Sequence, residues 1–281
     1  MRKLIIFLIA LSLLVSAAYA GLRYSGVAVN VKPPAKKTEE PAKKKESPEE
    51  KGEGKSGNSG EKRSREGAAY AARLSDIAKA HLGTEVEKGR TTEKKVALTL
   101  DAGASSEPTP AILDVLKRKN IKVTFFLTGK WVEQNPELAK RIAREGHEIG
   151  NHSYSHPDFL KSDPALLDQE LAKTETLIRE TTGKDPKPFF RAPFGSRNQK
   201  MIDQLAQHGY FSVYWTVDSF DWKEGVTGPE VKARVLSALA PGAIILSHCG
   251  SAVEAQVLPE IIDEIQNRGY KIVRLSDVLS Q

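Results

Sequence analysis

The sequence predicts a single α/β domain built on a parallel sheet, and three observations support this prediction. Short apolar runs alternate with amphipathic helical runs about seven times between residues 93 and 281. Each apolar run ends at a turn residue, which is typical of strands buried on both faces. The number of repeats and their even spacing favour a closed or nearly closed (β/α) barrel over an open sheet.

The predicted strands and helices follow one another in order along this region. Asn135, Pro136 and Gly146 are typical of the ends of a helix. Seven strands are predicted, at residues 94–105, 121–129, 147–153, 187–195, 210–222, 242–250 and 270–279. Six helices separate them, at residues 108–120, 135–146, 162–183, 197–209, 228–240 and 254–269.

A helical lead-in precedes the barrel region 93–281, and a polar linker precedes the lead-in. The lead-in, residues 68–92, begins with a periodic apolar pattern, which predicts a helix that packs on the domain or merely precedes it. The linker, residues 21–67, is rich in Pro, Gly, Lys and Glu and poor in large apolar side chains. It cannot bury enough surface to offset the entropy of ordering, so we expect it to be disordered. It would be a solvated spacer, or a tether that lets the domain reach its substrate.

Residues 1–20 predict a signal peptide. Arg2 and Lys3 precede an apolar stretch that ends in the small-x-small triplet Ala18-Tyr19-Ala20. We expect cleavage after this triplet and export of the mature chain to the cell envelope or the medium. An uncleaved membrane anchor is the alternative, because the apolar stretch is close to the length of about 17–25 residues that a spanning helix needs.

The composition excludes several classes of protein. One cysteine among 281 residues allows neither an internal disulfide nor a cysteine-based zinc framework. We expect this residue, Cys249, to be a small buried core side chain, and an oxidation-sensitive thiol is the alternative. The net charge of +6 is carried by residues 1–66, because residues 67–281 contain equal numbers of acidic and basic side chains. The folded part therefore lacks the net positive charge that is typical of nucleic-acid-binding domains.

Polar residues end most of the predicted strands. The carboxyl ends of parallel strands meet at one edge of a sheet, where loops converge and catalytic residues collect. Each polar residue alone could be a turn residue or a structural group, but together they predict one site at this edge. They are Asp101, His152, His156, Arg191, Asp218, Asp221 and His248.

His152 and His156 are the candidate metal ligands. Imidazoles four residues apart can meet on one side of a helical turn, and Pro157 keeps the segment from continuing as a long helix. Neutral imidazoles suit zinc and other late first-row divalent ions. An open catalytic site would add one more protein ligand and a water molecule.

Five motifs in a fixed order carry a resemblance to a known family. They are Thr99-Leu-Asp101-Ala-Gly103, His152-Ser153-x-x-His156, Arg191-Ala-Pro193-Phe-Gly195, Asp218-Ser-Phe-Asp221-Trp222 and Leu246-Ser-His248. Over about residues 93–281 the chain resembles the polysaccharide deacetylases of the NodB-homology group, carbohydrate esterase family 4. The resemblance implies a distorted NodB-like (β/α) barrel and metal-dependent removal of N-acetyl groups from β-linked amino sugars.

The resemblance also implies an acid–base pair. Asp101 would be the general base that activates water, and Arg191 would orient its carboxylate. His248 would be the general acid for the leaving amine, with Asp218 tuning its pKa. The chemistry agrees with these roles, because an amide is a poor electrophile and its hydrolysis needs a base for the water and an acid for the nitrogen.

The metal ligands and the substrate pocket follow from the same resemblance. His152 and His156 would bind a divalent ion, zinc by ligand preference, and Asp101 is a third candidate ligand. The backbone N–H of the residue at position 194 would hold the oxyanion. The residues that would contact substrate are Pro193, Phe194, Gly195, Trp222 and Leu246.

The first motif departs from the family at Ala102. The family has a second aspartate there that binds the metal, and a methyl group cannot coordinate. Asp101 could serve the metal directly, or the two imidazoles could hold a weakly bound ion alone. Ser105 and Glu107 in the following loop are substitute ligands suggested only by proximity. A catalytically dead protein that binds glycan is the remaining alternative.

The sequence thus predicts a secreted, metal-dependent N-deacetylase that acts on an amino-sugar polymer. Peptidoglycan is the expected substrate, because the leader and the lysine-rich linker are typical of a bacterial envelope protein. Chitin oligosaccharides and exopolysaccharides are alternative substrates. We expect an N-acetylated cell-wall or extracellular polysaccharide as partner, and contact with a membrane only if the leader is retained.

Overall fold

Strands and helices alternate through the part of the chain that the structure describes. The computed structural model covers residues 58–280, with side chains from residue 65 onward, and the predicted signal peptide and most of the predicted linker lie outside these residues. The strands are β1 (Glu85–Val86), β2 (Lys95–Ala102), β3 (Thr124–Leu127), β4 (Glu148–Asn151), β5 (Phe189–Phe190), β6 (Phe211–Val213), β7 (Val217–Asp218), β8 (Ile244–His248) and β9 (Lys271–Val273).

The helices of the described part lie mainly between these strands. None of them is long and apolar enough to span a membrane. They are α1 (Asn58–His81), α2 (Thr109–Arg118), α3 (Gly129–Gln134), α4 (Pro136–Arg144), α5 (Ala165–Thr182), α6 (Gln199–Gln207), α7 (Gly228–Ser237), α8 (Ala252–Asn267) and α9 (Leu275–Leu279), with 3₁₀ turns at Phe159–Lys161 and Pro193–Gly195.

The strands form one parallel sheet that curls on itself. Their order is β1-β6-β5-β4-β3-β2-β8-β7, and β9 pairs with the first residues of β2. β6 and β7 lie towards opposite ends of this order, yet only three residues join them. The two edges of the curled sheet therefore meet here, at the barrel seam: the backbone N–H of Tyr214 donates to the carbonyl of Val86 on one side, and that of Thr216 donates to the carbonyl of Ile244 on the other, both at 2.8 Å. An isolated bridge between Lys88, after β1, and Ala243, before β8, joins the two sides. The predicted (β/α) barrel is confirmed.

The structure corrects several predicted elements. The sequence predicts about seven strands, and the described residues form nine. The predicted strand at 210–222 divides into β6 and β7, because the chain crosses the seam between them. The predicted last strand at 270–279 ends at Val273, and the remainder forms α9. β1 and α3 are additional, and the hydroxyl of Thr128 caps α3 by accepting the N–H of Trp131 at 3.2 Å.

The lead-in helix is longer than predicted and packs on the barrel. α1 begins at Asn58, so the helix includes the last residues of the predicted linker 21–67. Glu, Lys and Arg in this stretch are good helix formers even without an apolar face. Further along α1, Ile77 is buried in the core and the hydroxyl of Tyr70 donates to Glu148 at 2.7 Å. α1 is therefore part of the folded domain.

Glu148, at the start of β4, connects four elements at the amino end of the strands. Its carboxylate accepts hydrogen bonds from the hydroxyls of Tyr70 and Thr124, at 2.7 and 2.9 Å. It also accepts the backbone N–H of Ser276 at 3.1 Å. Because every donor reaches the same buried carboxylate, α1, β3, β4 and α9 are fastened together on the side of the barrel opposite the predicted site.

Side chains of β2 alternate between two buried layers, as a strand requires. Leu98 and Leu100 pack with the surrounding helices, whereas Ala97 packs with the aromatic side chains inside the barrel. Thr99 and Asp101 continue the inner face towards the carboxyl end of the strand. The interior is therefore apolar at its amino end and polar where the predicted site lies.

Candidate active site

The carboxyl ends of neighbouring strands bring the predicted site residues together. Asp101 and His248 occupy paired positions on β2 and β8. His152 directly follows β4, and Arg191 directly follows β5. The strand register thus places a carboxylate, a guanidinium and imidazoles at one edge of the barrel.

Arg191 is fully buried beneath this edge and fixes Asp101. Its Nη1 donates to Asp101 Oδ1 and to the hydroxyl of Thr99, both at 2.8 Å. Its Nε and Nη2 donate to the carbonyls of Val213 and Tyr214. Burial, the largest single contribution, would raise the pKa of Asp101, but the charge and hydrogen bond of Arg191 together with His152 and His248 outweigh burial and hold this pKa below its usual value. The carboxylate is therefore oriented and ionised.

His152 and His156 lie next to Asp101 as neutral imidazoles. Nδ1 of His152 donates to the carbonyl of Arg191 at 2.8 Å, so its Nε2 carries the lone pair and faces Asp101 Oδ2 at 3.4 Å. The two rings are edge to face, with centroids 4.9 Å apart. Burial lowers the pKa of His152, and burial together with His152 lowers the pKa of His156 to about 4. Both rings are in the form that binds metal.

A tight turn, not a helix, holds the two histidines. Ser153 and His156 have positive φ angles of 66° and 60°, a strained backbone that the surroundings must enforce. The side chain of Asn151 accepts the N–H of Ser153, and the hydroxyl of Ser153 accepts the N–H of His156. Glu170 accepts the backbone N–H groups of the two intervening residues, Tyr154 and Ser155, both at 2.7 Å. The sequence analysis did not identify Glu170 as a support of this turn.

The described residues do not supply all the metal ligands that the resemblance to the family implied. No group of three or more His, Cys, Asp or Glu side chains in the described part of the chain is placed to hold an ion. Ala102 is buried and offers no ligand atom. Glu107 is exposed, and Ser105 accepts the N–H of Glu107 within its own loop, so neither replaces the missing aspartate. Two imidazoles of the right kind are present, but their third partner is not.

His248 pairs with Asp221, and not with Asp218 as the sequence analysis expected. Nδ1 of His248 donates to Asp221 Oδ1 at 2.7 Å, and the backbone N–H of His248 donates to Asp221 Oδ2 at 2.8 Å. Burial, the largest single contribution, would lower the pKa of His248, but the hydrogen bond and charge of Asp221, with the charges of Asp101 and Asp218, together outweigh burial and raise it. Nε2 is the ring atom left to deliver a proton.

Asp218 organises the neighbouring loop instead. Its carboxylate accepts the N–H of Phe220 at 2.9 Å and the indole N–H of Trp222 at 3.3 Å. Its negative charge is only a minor contribution to the pKa of His248. Asp218 and Asp221 are three residues apart in one loop, and only the folded loop decides which of them reaches the histidine.

Two aromatic side chains stand at the rim of the site. Phe194 is 71% exposed, and its ring meets His156 edge to face at 4.5 Å. Trp222 is 59% exposed. Pro193 and Leu246 are buried, and Leu246 lies on β8 two residues before His248. Of the five predicted substrate contacts, Phe194 and Trp222 are therefore the most exposed, and Gly195 is half-buried.

Glycine is required at position 195 both by the backbone conformation and by the nearby ring of Trp215. Its φ is +65°, and a Cβ added there would lie 2.7 Å from the ring of Trp215. Phe194 also has a positive φ, of 58°. The motif thus forms a strained turn that packs against Trp215 and presents Phe194 outward.

One buried thiol and one buried acid follow His248 in the sequence. Cys249 is fully buried, and burial raises the pKa of its thiol to about 12, as fits the expected core residue. Glu254 is fully buried at the start of α8, and neither of its carboxyl oxygens has a hydrogen-bond partner in the described chain. Burial and the charge of Asp221 raise its pKa well above the usual value, which favours the neutral acid. Sequence reasoning missed it, because Ser251-x-x-Glu254 is a capping pattern typical of an exposed helix start.

This edge of the barrel has the groups of a hydrolase: an ionised carboxylate, a histidine with a raised pKa, and two neutral imidazoles. The family model described as polysaccharide deacetylase matches residues 88–213. A peptidoglycan-N-acetylglucosamine deacetylase of Bacillus cereus is 39% identical over 191 residues, which cover 66% of this chain and 69% of that protein. The chain therefore belongs to the polysaccharide deacetylase family, carbohydrate esterase family 4.

Two further relatives are an uncharacterized protein and a protein described as a pseudoenzyme. The uncharacterized protein YlxY of Bacillus subtilis is 37% identical over 197 residues, which cover 70% of this chain but only 60% of YlxY. The crystal structure of a BA3943 mutant from Bacillus anthracis has a TM-score of 0.66 and 32% identity, covering 70% of this chain and 71% of that one. That protein is described as a family pseudoenzyme, and the mutant as having restored enzymatic activity.

Proposed function

We propose that this protein hydrolyses the N-acetyl groups of amino sugars in peptidoglycan. One observation carries the proposal: ionised Asp101 and His248, whose pKa is raised, occupy paired positions on adjacent strands. A base and an acid side by side are what hydrolysis of an unreactive amide needs. The Bacillus cereus relative named as a peptidoglycan-N-acetylglucosamine deacetylase supports peptidoglycan as substrate.

The residues divide the reaction into two proton transfers. Asp101 accepts a proton from water while the water oxygen bonds to the acetyl carbon. The C–N bond then breaks as His248 Nε2 gives its proton to the nitrogen, which leaves the amino sugar and acetate. Arg191 keeps Asp101 in place, and Asp221 keeps His248 protonated on Nδ1. The backbone N–H of Phe194 is the proposed donor to the carbonyl oxygen in the transition state.

The proposal for a metal is limited by the ligands that the chain offers. His152 and His156 suit zinc, which would polarise the acetyl carbonyl when bound. With only two imidazoles and a carboxylate already bound to Arg191, we expect weak binding. The steps above use only the residues of the chain.

A glycan-binding protein without turnover is the second candidate. Ala102 favours it, because the third metal ligand of the family is missing from the described residues. The likeness to the BA3943 pseudoenzyme supports the same reading. The intact Asp101–Arg191 and Asp221–His248 pairs favour the enzyme.

Acetate release from purified full-length protein tests the enzyme against the binding protein. We expect acetate from peptidoglycan, less acetate from chitin oligomers, and a loss of activity with chelator that zinc restores. His248→Ala should lower turnover by about 10²–10⁴-fold, which is the usual contribution of a general acid. Retained affinity for glycan with no acetate under any metal condition would replace the enzyme by the binding protein.

Location in the cell envelope or the medium is also a proposal. It rests on the signal peptide predicted at residues 1–20. Amino-terminal sequencing of the exported protein should find Gly21 as the first residue. A retained Met1 in the membrane fraction would indicate an anchor instead.

A further inference from the structure

Arg234 lies on the exposed side of α7 and has no part in the reaction described above. Lys232, on the same helix, forms an ion pair with Glu260. Arg234 forms no ion pair with any described acid. Its Nε donates instead to the backbone carbonyl of Asp218, and its guanidinium lies 3.5 Å from the centre of the Phe220 ring. Both contacts are with the loop that follows β7, so this arginine is directed at that loop.

The loop that Arg234 contacts has a strained backbone. Phe220 has a φ of 59°, which is unfavourable for a bulky side chain and persists only where the surroundings enforce it. Two contacts enforce it here. The carboxylate of Asp218 accepts the N–H of Phe220 at 2.9 Å, and the guanidinium of Arg234 covers the ring. A planar guanidinium on an aromatic face is a favourable contact that depends on geometry as well as charge.

Phe220 and Asp218 are also the residues that hold Trp222 at the rim of the site. The rings of Trp222 and Phe220 meet edge to face with their centroids 5.8 Å apart, and the indole N–H lies 3.3 Å from both carboxylate oxygens of Asp218. Trp222 is 59% exposed, so these contacts are important for its orientation. Arg234 therefore contacts both residues that orient Trp222. We call these four residues the rim cluster.

Asp221 belongs to the same loop but is held by other contacts. Its carboxylate accepts the ring and backbone N–H groups of His248 and the hydroxyl of Ser219. Its carbonyl accepts the hydroxyl of Ser251 at 2.9 Å. A change at Arg234 should therefore leave this acid–base pair in place and act on the exposed ring of the rim cluster.

We infer that Arg234 is a positioning residue, which orders Trp222 at the rim of the site by fixing Phe220 and Asp218. The inference rests on the proposed function in one respect, because it takes Trp222 as a contact for the amino sugar. Arg234 acts through the other members of the rim cluster and does not itself touch substrate. A ring that is ordered in advance loses less conformational freedom on binding, so substrate affinity depends on Arg234.

The indole N–H resonances of the full chain test the inference without relying on turnover. The sequence has three tryptophans, and Trp222→Phe identifies the resonance of Trp222 by its loss. In Arg234→Gln we expect this resonance to shift towards that of a free, solvent-exposed indole. Arg234→Lys keeps the positive charge in the last turn of α7 but loses the planar contact, so it should show the same shift. A wild-type Trp222 resonance in either variant would overturn the inference.

Kinetics of acetate release measure the consequence for substrate. Arg234→Gln should raise KM by about three- to tenfold, the loss expected for one aromatic contact, with little change in kcat or its pH dependence. Lys232→Gln is the matched control, because it removes a charge from the same helix without touching the rim cluster. It should keep the wild-type KM. A fall in kcat at unchanged KM in Arg234→Gln would contradict action through Trp222.

A double variant tests whether the two residues act as a unit. Adding Arg234→Gln to Trp222→Phe should raise KM no further than Trp222→Phe alone, because the ring that Arg234 orders is already gone. Additive effects would overturn the inference and leave the proposed function intact. Absence of acetate release by the wild type would overturn the proposed function, and the Trp222 resonance would still decide whether Arg234 orders the ring.

Discussion

Asp221 accepts two hydrogen bonds from one histidine, the ring N–H and the backbone N–H of His248. The hydroxyl of Ser219 donates a third hydrogen bond to the same carboxylate at 3.0 Å. The ring is therefore fixed in both orientation and tautomer, with Nε2 directed away from Asp221. Asp221 therefore orients His248, whereas Asp218, in the same motif, organises the loop that carries Phe220 and Trp222.

The first prediction compares these two aspartates. Asp221→Asn removes the charge that raises the pKa of His248, so this pKa should fall and the protonated fraction at pH 7 should decrease. Asp218→Asn should lower it much less, because Asp218 has no direct contact with the ring. Titration of the His248 ring by NMR measures both. Equal shifts in the two variants would mean that Asp221 has no special role.

The second prediction concerns the buried pair of Arg191 and Asp101. Arg191→Met leaves an unpaired buried carboxylate, so the free energy of unfolding should fall by about 3–5 kcal/mol. Adding Asp101→Asn should recover part of that loss, because the second change removes the stranded charge. Denaturant unfolding of the single and double variants measures the coupling. Strictly additive effects would contradict a direct pair.

The third prediction concerns the raised pKa of the buried acid Glu254. Its pKa is raised in the folded protein, so above about pH 4.5 the unfolded chain has lost a proton that the folded protein retains. This proton makes wild-type stability fall as pH rises towards the raised pKa. Glu254→Gln has no such proton, so its stability relative to wild type should rise with pH, by up to about 1.4 kcal/mol per pH unit.

Denaturant unfolding from pH 4 to pH 8 measures this difference. The exposed Glu260→Gln on the same helix is the control, and its stability relative to wild type should depend much less on pH. A pH-independent difference for Glu254→Gln would show that Glu254 is already ionised in the folded protein.

The fourth prediction restores the missing ligand at position 102. Ala102→Asp supplies the carboxylate that the family's first motif has, so zinc should bind more tightly than to the wild type. Ala102 is buried, so the new carboxylate should destabilise the metal-free protein, and zinc should raise the melting temperature more than in the wild type. His152→Ala should remove the effect of zinc in both backgrounds. An unchanged zinc affinity in Ala102→Asp would place position 102 outside the metal site.

Residues that act through their place at a strand end could be predicted from the sequence. Asp101, His152, Arg191 and His248 follow short buried strands, and parallel strands necessarily bring their carboxyl ends together. The partner of His248 could not be predicted in this way. Asp218 and Asp221 both follow β7 closely, and the folded loop, with its positive φ of 59° at Phe220, determines which of them reaches the ring.

Elements that depend on long-range contacts could not be predicted from the sequence either. β1 has only two residues and forms because β6 lies beside it. The predicted strand at 210–222 has a continuous apolar and aromatic pattern, and nothing in that pattern indicates the barrel seam within it. Glu254 has the sequence setting of an exposed cap, and its burial depends on how α8 packs against the sheet.

The network at Glu148 has a consequence for the order of events during synthesis. Its three donors come from residues 70, 124 and 276, so a nascent chain has the buried carboxylate long before it has the last donor. Without the N–H of Ser276 the buried carboxylate has only two of its three donors, so the closed barrel should be less stable until α9 is available to pack. Fragments that stop short of residue 276 should stay open to proteases and chaperones, however much of the active edge they contain.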